Sequence, residues 1–351
     1  RWLGCGNPVG DLRDRRRLSL GTLFTPGSQF RETIAEMAVE DLTAQLVGEE
    51  GAIDDAGPLS VLVQLESLTL VNNVLSDLGP LSTLVNLTEL RFDDNEVRDL
   101  GPVATLTALR TLSFSRNALS EIGPLAGLVN LTSLDAHDND ISDISPTAAL
   151  IALETVDFSS NGVTDAAALS GLTNLSTLDL SNNEIEDAAT LGRPPNLRSL
   201  AIASNSLMDI SALATLDGLT SLDVCQNDIT DIAPLAALLS LTSLNVASNR
   251  VDDLTPLSGL AALEVLNISD NEIDELSALS ALSALIELRA SFNALTSAAP
   301  ITSLDVLETV VMRSNDLVDV SSFAGFENLR HLDLAENSIE DLAPLSALGT
   351  L

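Results

Sequence analysis

Residues 65–73 read LESLTLVNN, and the asparagine that ends this stretch recurs every 22 residues along the rest of the chain. The interval contains no insertion, and the asparagines are Asn73, Asn95, Asn117, Asn139, Asn161, Asn183, Asn205, Asn227, Asn249, Asn271, Asn293, Asn315 and Asn337. A constant period of this length is typical of a solenoid, in which each repeat buries its apolar face by stacking on its neighbours. The sequence therefore predicts one elongated domain.

Seven positions in each repeat are apolar, and in the first full copy they are Leu65, Leu68, Leu70, Leu75, Leu78, Leu81 and Leu84. Around the asparagine, Leu68 and Leu70 alternate with Ser67, Thr69 and Val71, which is the period of a β-strand. Successive strands run in the same direction and should form a parallel sheet. Each asparagine ends a strand, and we expect its side-chain amide to satisfy backbone groups in the turn.

An acidic residue follows most of these asparagines at a distance of four residues, and a proline often follows three residues later, as in Asp77 and Pro80. Only Ser297 departs from the acidic pattern. An acid just before a proline and an apolar turn predicts the capped start of a short 3₁₀ helix. A row of calcium ligands is the alternative interpretation of these acids.

The repeat of residues 219–238, LTSLDVCQNDITDIAPLAAL, follows the pattern LxxLxLxxNxIxDIxPLxxL. It resembles the 22-residue, SDS22-type leucine-rich repeat, which bacterial internalins and related surface proteins also carry. The resemblance covers roughly residues 51–351. It implies an α/β solenoid: a right-handed leucine-rich-repeat horseshoe with a concave parallel β-sheet and convex 3₁₀ turns. It also implies binding on the concave face rather than catalysis.

Three segments follow from the pattern. Residues 51–351 form the solenoid, with a half-repeat at 51–64 and about thirteen full repeats, and no polar capping element follows Leu351. Residues 29–50 are predicted to form a helical N-terminal cap, with Ser28 as N-cap and an apolar stripe that includes Phe30, Ile34 and Leu42. Residues 1–28 are predicted to be a flexible tail or linker.

One place in the solenoid breaks the pattern. Pro194 occupies a position that is leucine in most repeats, and Arg193 and Pro195 flank it. The outer turns near it are rich in alanine. We expect a thinner outer side and a local change of curvature there.

The composition is strongly acidic, with 51 acidic residues, 16 basic residues and a formal net charge of −35. This charge disfavours nucleic acids and anionic membranes as partners. Two explanations of this charge remain open: solubility or adaptation to salt, and an acidic binding surface. No uncharged apolar stretch is long enough to span a membrane. We identify no cofactor or metal motif, and Cys5 and Cys225 lack the spacing of a zinc site.

The first residues, Trp2-Leu3-Gly4-Cys5-Gly6, resemble the end of a bacterial lipoprotein signal, in which a small residue precedes the lipidated cysteine. Cys5 would then be a lipid anchor, and the protein would be extracellular or on the cell surface. An arbitrary start of the sequence is the alternative explanation of this stretch. A cytoplasmic location is the alternative for the protein.

The concave face should carry the function. The strand residues that point outward form columns, and one column includes Asp135, Asp157, Asp179 and Asp223. The first three belong to adjacent repeats, about 4.8 Å apart along the sheet, and should form a ladder of carboxylates. His137 and Asp138 lie beside it, Arg91 lies on one side, and Arg289 and Arg313 lie on the other. Like charges at this spacing need water and salt, raised pKa values, a cation or a basic partner.

Catalysis has little support, because the two histidines, His137 and His331, are far apart and no catalytic motif is present. We therefore predict a non-enzymatic module that binds a protein or peptide, with a basic ligand as one option. An intracellular SDS22-like scaffold that regulates an enzyme is the first alternative. A structural spacer is the second, either monomeric or associated end to end through the C-terminal end.

Overall fold

The computed structural model describes residues 43–45 and 53–348, and the strands among them form one parallel sheet in chain order. The strands are β1 (Thr43–Gln45), β2 (Ser67–Thr69), β3 (Glu89–Arg91), β4 (Thr111–Ser113), β5 (Ser133–Asp135), β6 (Thr155–Asp157), β7 (Thr177–Asp179), β8 (Ser199–Ala201), β9 (Ser221–Asp223), β10 (Ser243–Asn245), β11 (Val265–Asn267), β12 (Glu287–Arg289), β13 (Thr309–Val311) and β14 (His331–Asp333). Each strand pairs only with the preceding and the following one.

Each strand has three residues, and from β2 to β14 the central one faces the core. In β4 the central Leu112 is fully buried and pairs with Leu134 of β5, and the same register continues through the sheet. Side chains alternate across a strand, so the residues on either side of the central leucine point away from the core. These outward residues form the concave face.

After each of the strands β2 to β14, the chain turns at a residue in the left-handed region. These residues are Asn72, Asp94, Arg116, Asp138, Ser160, Asn182, Ser204, Gln226, Ser248, Asp270, Phe292, Ser314 and Glu336, with φ between 51° and 59°. The asparagine that recurs every 22 residues follows directly after each of them. This conformation turns the backbone away from the sheet and toward the convex side.

The convex side consists of 3₁₀ helices. They span Gly57–Val61, Gly79–Thr83, Gly101–Thr105, Gly123–Gly127, Ser145–Ala149, Ala167–Leu169, Ala188–Leu191, Ser211–Thr215, Ala233–Ala237, Thr255–Gly259, Ser277–Ala281, Ala299–Ile301, Ser321–Phe323 and Ala343–Ala347. The aspartates that precede them accept backbone hydrogen bonds from two residues ahead, as Asp77 Oδ1 does from Gly79 N at 2.7 Å. At the exceptional repeat, Ser297 Oγ accepts the equivalent bond from Ala299 N at 3.1 Å.

One continuous core lies between the sheet and the 3₁₀ helices. Phe92 and Phe114 stack there with ring centroids 5.9 Å apart. Thr147 is fully buried at a position that is usually leucine, and its hydroxyl donates to the carbonyl of Ile144 at 2.7 Å. Each repeat therefore contributes one layer to a core that it shares with two neighbours.

The irregular repeat is accommodated without a break in the sheet. Pro194 is buried in its leucine position, and Gly192 takes a positive φ of 65° just before it. A Cβ on Gly192 would lie 2.5 Å from Cβ of Ser170, so glycine is required there for both conformation and space. A cavity of about 150 Å³ is lined by Pro194, Leu197 and Leu216.

The predicted leucine-rich-repeat horseshoe, with its parallel sheet and convex 3₁₀ turns, is confirmed. The prediction of a helix was wrong at Thr43–Gln45, which form β1 and pair in parallel with β2. The physical reason is that β2 would otherwise leave the hydrogen-bonding groups of its outer edge unpaired. The rest of the predicted cap at 29–50, the tail at 1–28 and Cys5 lie outside the described residues. Within the described part of the chain, no helix is long and apolar enough to cross a membrane.

Candidate functional site: the concave face

The asparagines at the strand ends form a ladder of hydrogen bonds between repeats. Asn161 is representative: its Oδ1 accepts from Ile141 N at 2.9 Å, and its Nδ2 donates to Ala136 O at 3.1 Å in the preceding repeat. Nδ2 also lies within hydrogen-bond distance of two carbonyls of its own repeat, those of Phe158 and Ser159. In every repeat from Asn73 to Asn337, Oδ1 accepts the equivalent backbone N–H. These side chains are therefore engaged by the backbone.

The last residue of each strand points outward on the concave face, and the sheet register aligns these residues. Asp135 pairs with Asp157, and Asp157 pairs with Asp179. The three side chains are half-buried. We call these three residues the acidic strip. It lies on β5, β6 and β7, near the middle of the sheet.

Each carboxylate of the acidic strip closes a small turn with its own backbone. Asp157 Oδ1 accepts from Ser159 N at 2.8 Å, and Asp179 Oδ1 accepts from Ser181 N at 2.8 Å. Asp135 Oδ1 makes a longer bond of 3.3 Å with His137 N. Aspartate and asparagine commonly form such turns with the residue two ahead.

Asparagine performs the same role further along the column. Asn245 Oδ1 accepts from Ala247 N, and Asn267 Oδ1 accepts from Ser269 N, both at 3.1 Å. The turn therefore requires an oxygen acceptor and no negative charge. The charge of the acidic strip is not explained by the backbone.

The second carboxylate oxygens differ in their partners. Asp223 Oδ2 accepts from Asn245 Nδ2 at 3.0 Å, and Asp135 Oδ2 lies 3.3 Å from the hydroxyl of Ser113. Within residues 53–348, no donor is hydrogen-bonded to Oδ2 of Asp157 or Asp179. These two oxygens face the concave side and can accept from a ligand.

The carboxyl at the centre of the strip lies in an environment that disfavours its charge. Burial raises the pKa of the Asp157 carboxyl above its ordinary value, and the charges of Asp179 and Asp135 raise it further. Hydrogen bonds from Ser159 act in the opposite direction. The fold thus holds a carboxylate where its ionised form is disfavoured.

Of the residues predicted beside the strip, His137 joins it and Asp138 does not. His137 Nδ1 lies 3.0 Å from Asp135 Oδ1. Asp138 is in the left-handed turn, with φ of 55°, and its Oδ2 lies 3.8 Å from Nε of Arg116. The left-handed conformation of Asp138 directs its side chain away from that of His137.

The three predicted arginines are each paired with a nearby glutamate. Arg91 Nε lies 2.8 Å from Glu89, and Arg289 Nε lies 2.5 Å from Glu287, in both cases two residues earlier on the same strand.

Arg313 pairs with Glu336, and this contact raises the pKa of the arginine and lowers that of the glutamate. Within residues 53–348, none of the three arginines pairs with the acidic strip.

Sequence reasoning missed a second carboxylate site on the same face. Asp93 Oδ1 accepts from the hydroxyls of Ser113 and Ser115 at 2.5 and 2.9 Å, and from Ser115 N at 2.8 Å. Both serines are buried. The small hydroxyl residues in successive outward columns were the available signal, because only such residues let a carboxylate reach the neighbouring backbone.

Cys225 is half-buried on the same face, and its thiol is protonated at neutral pH. Burial, followed by the charge of Asp223, raises its pKa to about 12. A thiol with such a pKa is a poor nucleophile. Cys225 is therefore best described as a small residue that the sheet accommodates.

Comparison with known proteins supports the same architecture. A family model described as leucine-rich repeats in two copies matches residues 107–147, 151–192 and 239–283. A search of curated proteins gave no match.

Among solved structures, an internalin (inlF) from Listeria monocytogenes is 27% identical, with 92% of each chain covered and a TM-score of 0.81. A leucine-rich-repeat protein of Leptospira interrogans is 23% identical over 85% of this chain and 79% of its own, with a TM-score of 0.80, and shows the fold.

A second internalin of Listeria monocytogenes, internalin C2, is 34% identical, over 52% of this chain and 81% of its own, with a TM-score of 0.51. This level of identity over most of a relative goes beyond a shared fold. The chain belongs to the leucine-rich-repeat family, and within that family it is internalin-like.

Proposed function

We propose that this protein is a non-catalytic recognition module that binds a basic segment of a protein or peptide on its concave face, outside the cytoplasm. The observation that carries the proposal is the acidic strip. Three carboxylates stand in register on an open face, and within residues 53–348 no arginine pairs with them. Cationic side chains are the partners that such a surface favours.

Two observations indicate that the negative charge of the acidic strip serves a ligand rather than the fold. The turns that its carboxylates close are also closed by Asn245 and Asn267, which carry no charge. The raised pKa of Asp157 shows that its negative charge is disfavoured in the folded chain without a partner. A lysine or arginine from a ligand would relieve that cost, and the free Oδ2 of Asp157 and Asp179 would accept its hydrogen bonds.

The experiment separates this surface from general acidity. A library of random 12-residue peptides is displayed against the immobilised protein, and enriched peptides are synthesised and titrated at several salt concentrations. We expect enrichment of lysine and arginine. The triple variant Asp135→Asn, Asp157→Asn, Asp179→Asn should bind about tenfold more weakly and with a smaller salt dependence.

The matched control removes three charges elsewhere. Glu96, Glu184 and Glu272 are exposed and each directly follows a ladder asparagine, so Glu→Gln at all three changes the net charge equally. We expect this control to bind within about twofold of the original protein. Equal loss in the two triple variants would show that the acidic strip has no special role.

The location outside the cytoplasm draws on the likeness to internalins, and we infer SDS22-type repeats from the strand interval of 22 residues that holds from β2 to β14. Labelling of intact cells with a membrane-impermeant reagent should modify the native protein. Labelling only after lysis would favour the intracellular scaffold. Light scattering that grows with concentration would favour the self-assembling spacer.

A further inference from the structure

One cluster on the concave face contains a ligand type that the other acidic groups lack. Asp135 and His137 come from one repeat and Asp157 from the next, and all three side chains are half-buried. One ligand atom from each residue lies within 4.8 Å of the others. Within the described residues, this is the group of three metal-ligating side chains that meets such a distance.

We propose that Asp135, His137 and Asp157 bind one divalent transition-metal ion, with zinc as the best fit. The inference is separate from recognition of a basic partner, because an ion and a cationic side chain would occupy the carboxylates of Asp135 and Asp157 in turn and not together. Imidazole together with carboxylate ligands suits zinc and its transition-metal neighbours, whereas calcium prefers six to eight oxygen ligands. The histidine therefore sets the class of ion.

The distances in the cluster suit a shared ion. His137 Nδ1 and Asp135 Oδ1 are 3.0 Å apart. Two ligands at about 2.0–2.2 Å from the same zinc ion are themselves about 3.3–3.6 Å apart in a tetrahedral arrangement, so this pair needs to open by only about 0.5 Å. Asp157 lies across the sheet register from Asp135 and supplies the third ligand. Three protein ligands leave a fourth position open to water or to another molecule.

The charge around the cluster favours a cation independently of these distances. Asp179 pairs with Asp157 in the sheet, so three carboxylates lie next to one another and His137 is the only basic side chain within ion-pair distance of them in the described residues. A divalent ion would remove the repulsion that the sheet register imposes.

The neighbouring side chains hold the ligands in place. The amide and hydroxyl of Ser159 donate to Asp157 Oδ1 at 2.8 and 2.6 Å, which fixes the carboxylate and leaves Oδ2 free. The Ser113 hydroxyl lies 3.3 Å from Asp135 Oδ2. Such outer contacts orient metal ligands and lower the cost of binding.

The test uses the purified chain without a polyhistidine tag, after treatment with a chelator, titrated with zinc chloride by calorimetry. We expect one zinc ion per chain. His137→Ala and Asp157→Asn should each weaken binding by about tenfold or more. Asp157→Asn keeps the local turn, as Asn245 and Asn267 show, so a loss of zinc binding would not reflect a loss of folding.

Two matched controls stand outside the cluster. His331, on β14, is the other histidine of the sequence, and Asp223 occupies the same outward column and closes the same turn through Cys225 N. His331→Ala and Asp223→Asn should bind zinc like the original protein. Absence of a stoichiometric site, or equal weakening in a control and a cluster variant, would overturn the proposal.

Competition with calcium distinguishes a selective zinc site from non-selective binding of divalent cations to carboxylates. Calcium chloride in about thousandfold excess should leave the zinc in place, because the cluster has too few oxygens for calcium. Displacement of zinc by calcium, together with wild-type affinity in His137→Ala, would overturn the proposal. No peptide is present in this experiment, so its failure would leave the recognition of a basic partner untouched.

Discussion

The side chains of the asparagine ladder and of the acidic strip both accept backbone hydrogen bonds, but the ladder side chains make more of them. Both place an oxygen acceptor in a turn, the ladder in every repeat from Asn73 to Asn337 and the strip in three successive repeats. In the ladder, Asn227 accepts from Leu207 N and donates to Ile202 O and Val224 O, so both ends of its amide are bound. In the strip, Asp157 binds its turn through Oδ1, and Oδ2 has no hydrogen-bond donor within residues 53–348.

The difference separates a residue that holds repeats together from one that is available to a ligand. A buried amide with both ends bound leaves unpaired backbone groups when it is removed. A half-exposed carboxylate with one free oxygen leaves its turn intact when asparagine replaces it. Stability and binding should therefore respond to different columns of the same sheet.

The largest effect is expected for Asn227→Ala. This change leaves Leu207 N and the carbonyl of Ile202 without their partners inside the turn, and each unpaired buried group costs about 1–3 kcal/mol. We expect the free energy of unfolding in urea to fall by about 3 kcal/mol or more. The matched control is Asn245→Ala on the concave face, which should cost about 1 kcal/mol. Equal losses in the two variants would remove the distinction between the columns.

An intermediate effect is expected on the convex side. Asp231 Oδ1 accepts from Ala233 N at 2.7 Å at the start of a 3₁₀ helix, in an exposed position. Asp231→Ala should lower the free energy of unfolding by about 1 kcal/mol, because water replaces part of the lost bond. Asp231→Asn is the control and should retain most of the stability. A loss of about 3 kcal/mol in the alanine variant would show that these convex acids stabilise the fold as much as the ladder asparagines do.

At Asp157 we expect one substitution to increase the free energy of unfolding and another to decrease it. Its raised pKa means that the folded state disfavours the charged carboxylate, so above the folded pKa the charge lowers stability. In metal-free buffer at neutral pH, Asp157→Asn should raise the free energy of unfolding by a few tenths of a kcal/mol, up to about 1 kcal/mol. Asp157→Ala should lower it, because the turn to Ser159 is lost.

Salt provides the check on that explanation. High salt screens the repulsion from Asp135 and Asp179, so the gain from Asp157→Asn should shrink in about 1 M sodium chloride. A gain that does not change with salt would mean that burial of the Asp157 carboxylate, and not repulsion from Asp135 and Asp179, is its cause.

The smallest effect is expected at Ser297, the single departure from the acidic pattern. Its hydroxyl already accepts from Ala299 N at 3.1 Å. Ser297→Asp should shorten this bond and raise the free energy of unfolding by a few tenths of a kcal/mol, measured in urea. A loss of stability would show that the local backbone does not accept the carboxylate.

The fold was predictable because one period governs both the apolar positions and the turns. The 22-residue interval of the asparagines, with Leu68 and Leu70 before the first of them, is enough to give a stacked parallel sheet. The buried Thr147 and Pro194 show that single exceptions are absorbed when neighbouring layers remain apolar.

The end of the sheet was less predictable. The stripe of Phe30, Ile34 and Leu42 favours a helix up to residue 46, but Thr43–Gln45 form a strand. Local periodicity reports the preference of a segment for one conformation. It does not report that the edge of β2 needs backbone partners, which is a property of the assembled sheet.

The site was predictable in its columns and not in its contacts. The spacing places Asp135, Asp157 and Asp179 together, and the register does the same. The departure of Asp138 toward Arg116 depends on its left-handed backbone, which the residue type alone does not specify. The pairing of Arg289 with Glu287 likewise depends on two side chains of one strand, two residues apart.

The most direct test measures stability and binding on the same protein, the triple variant Asp135→Asn, Asp157→Asn, Asp179→Asn. Its free energy of unfolding in urea and its affinity for a selected basic peptide are compared with those of the original chain. We predict an unchanged or higher stability together with about tenfold weaker peptide binding. A loss of several kcal/mol with unchanged affinity would show that these carboxylates serve the fold and that the ligand binds elsewhere.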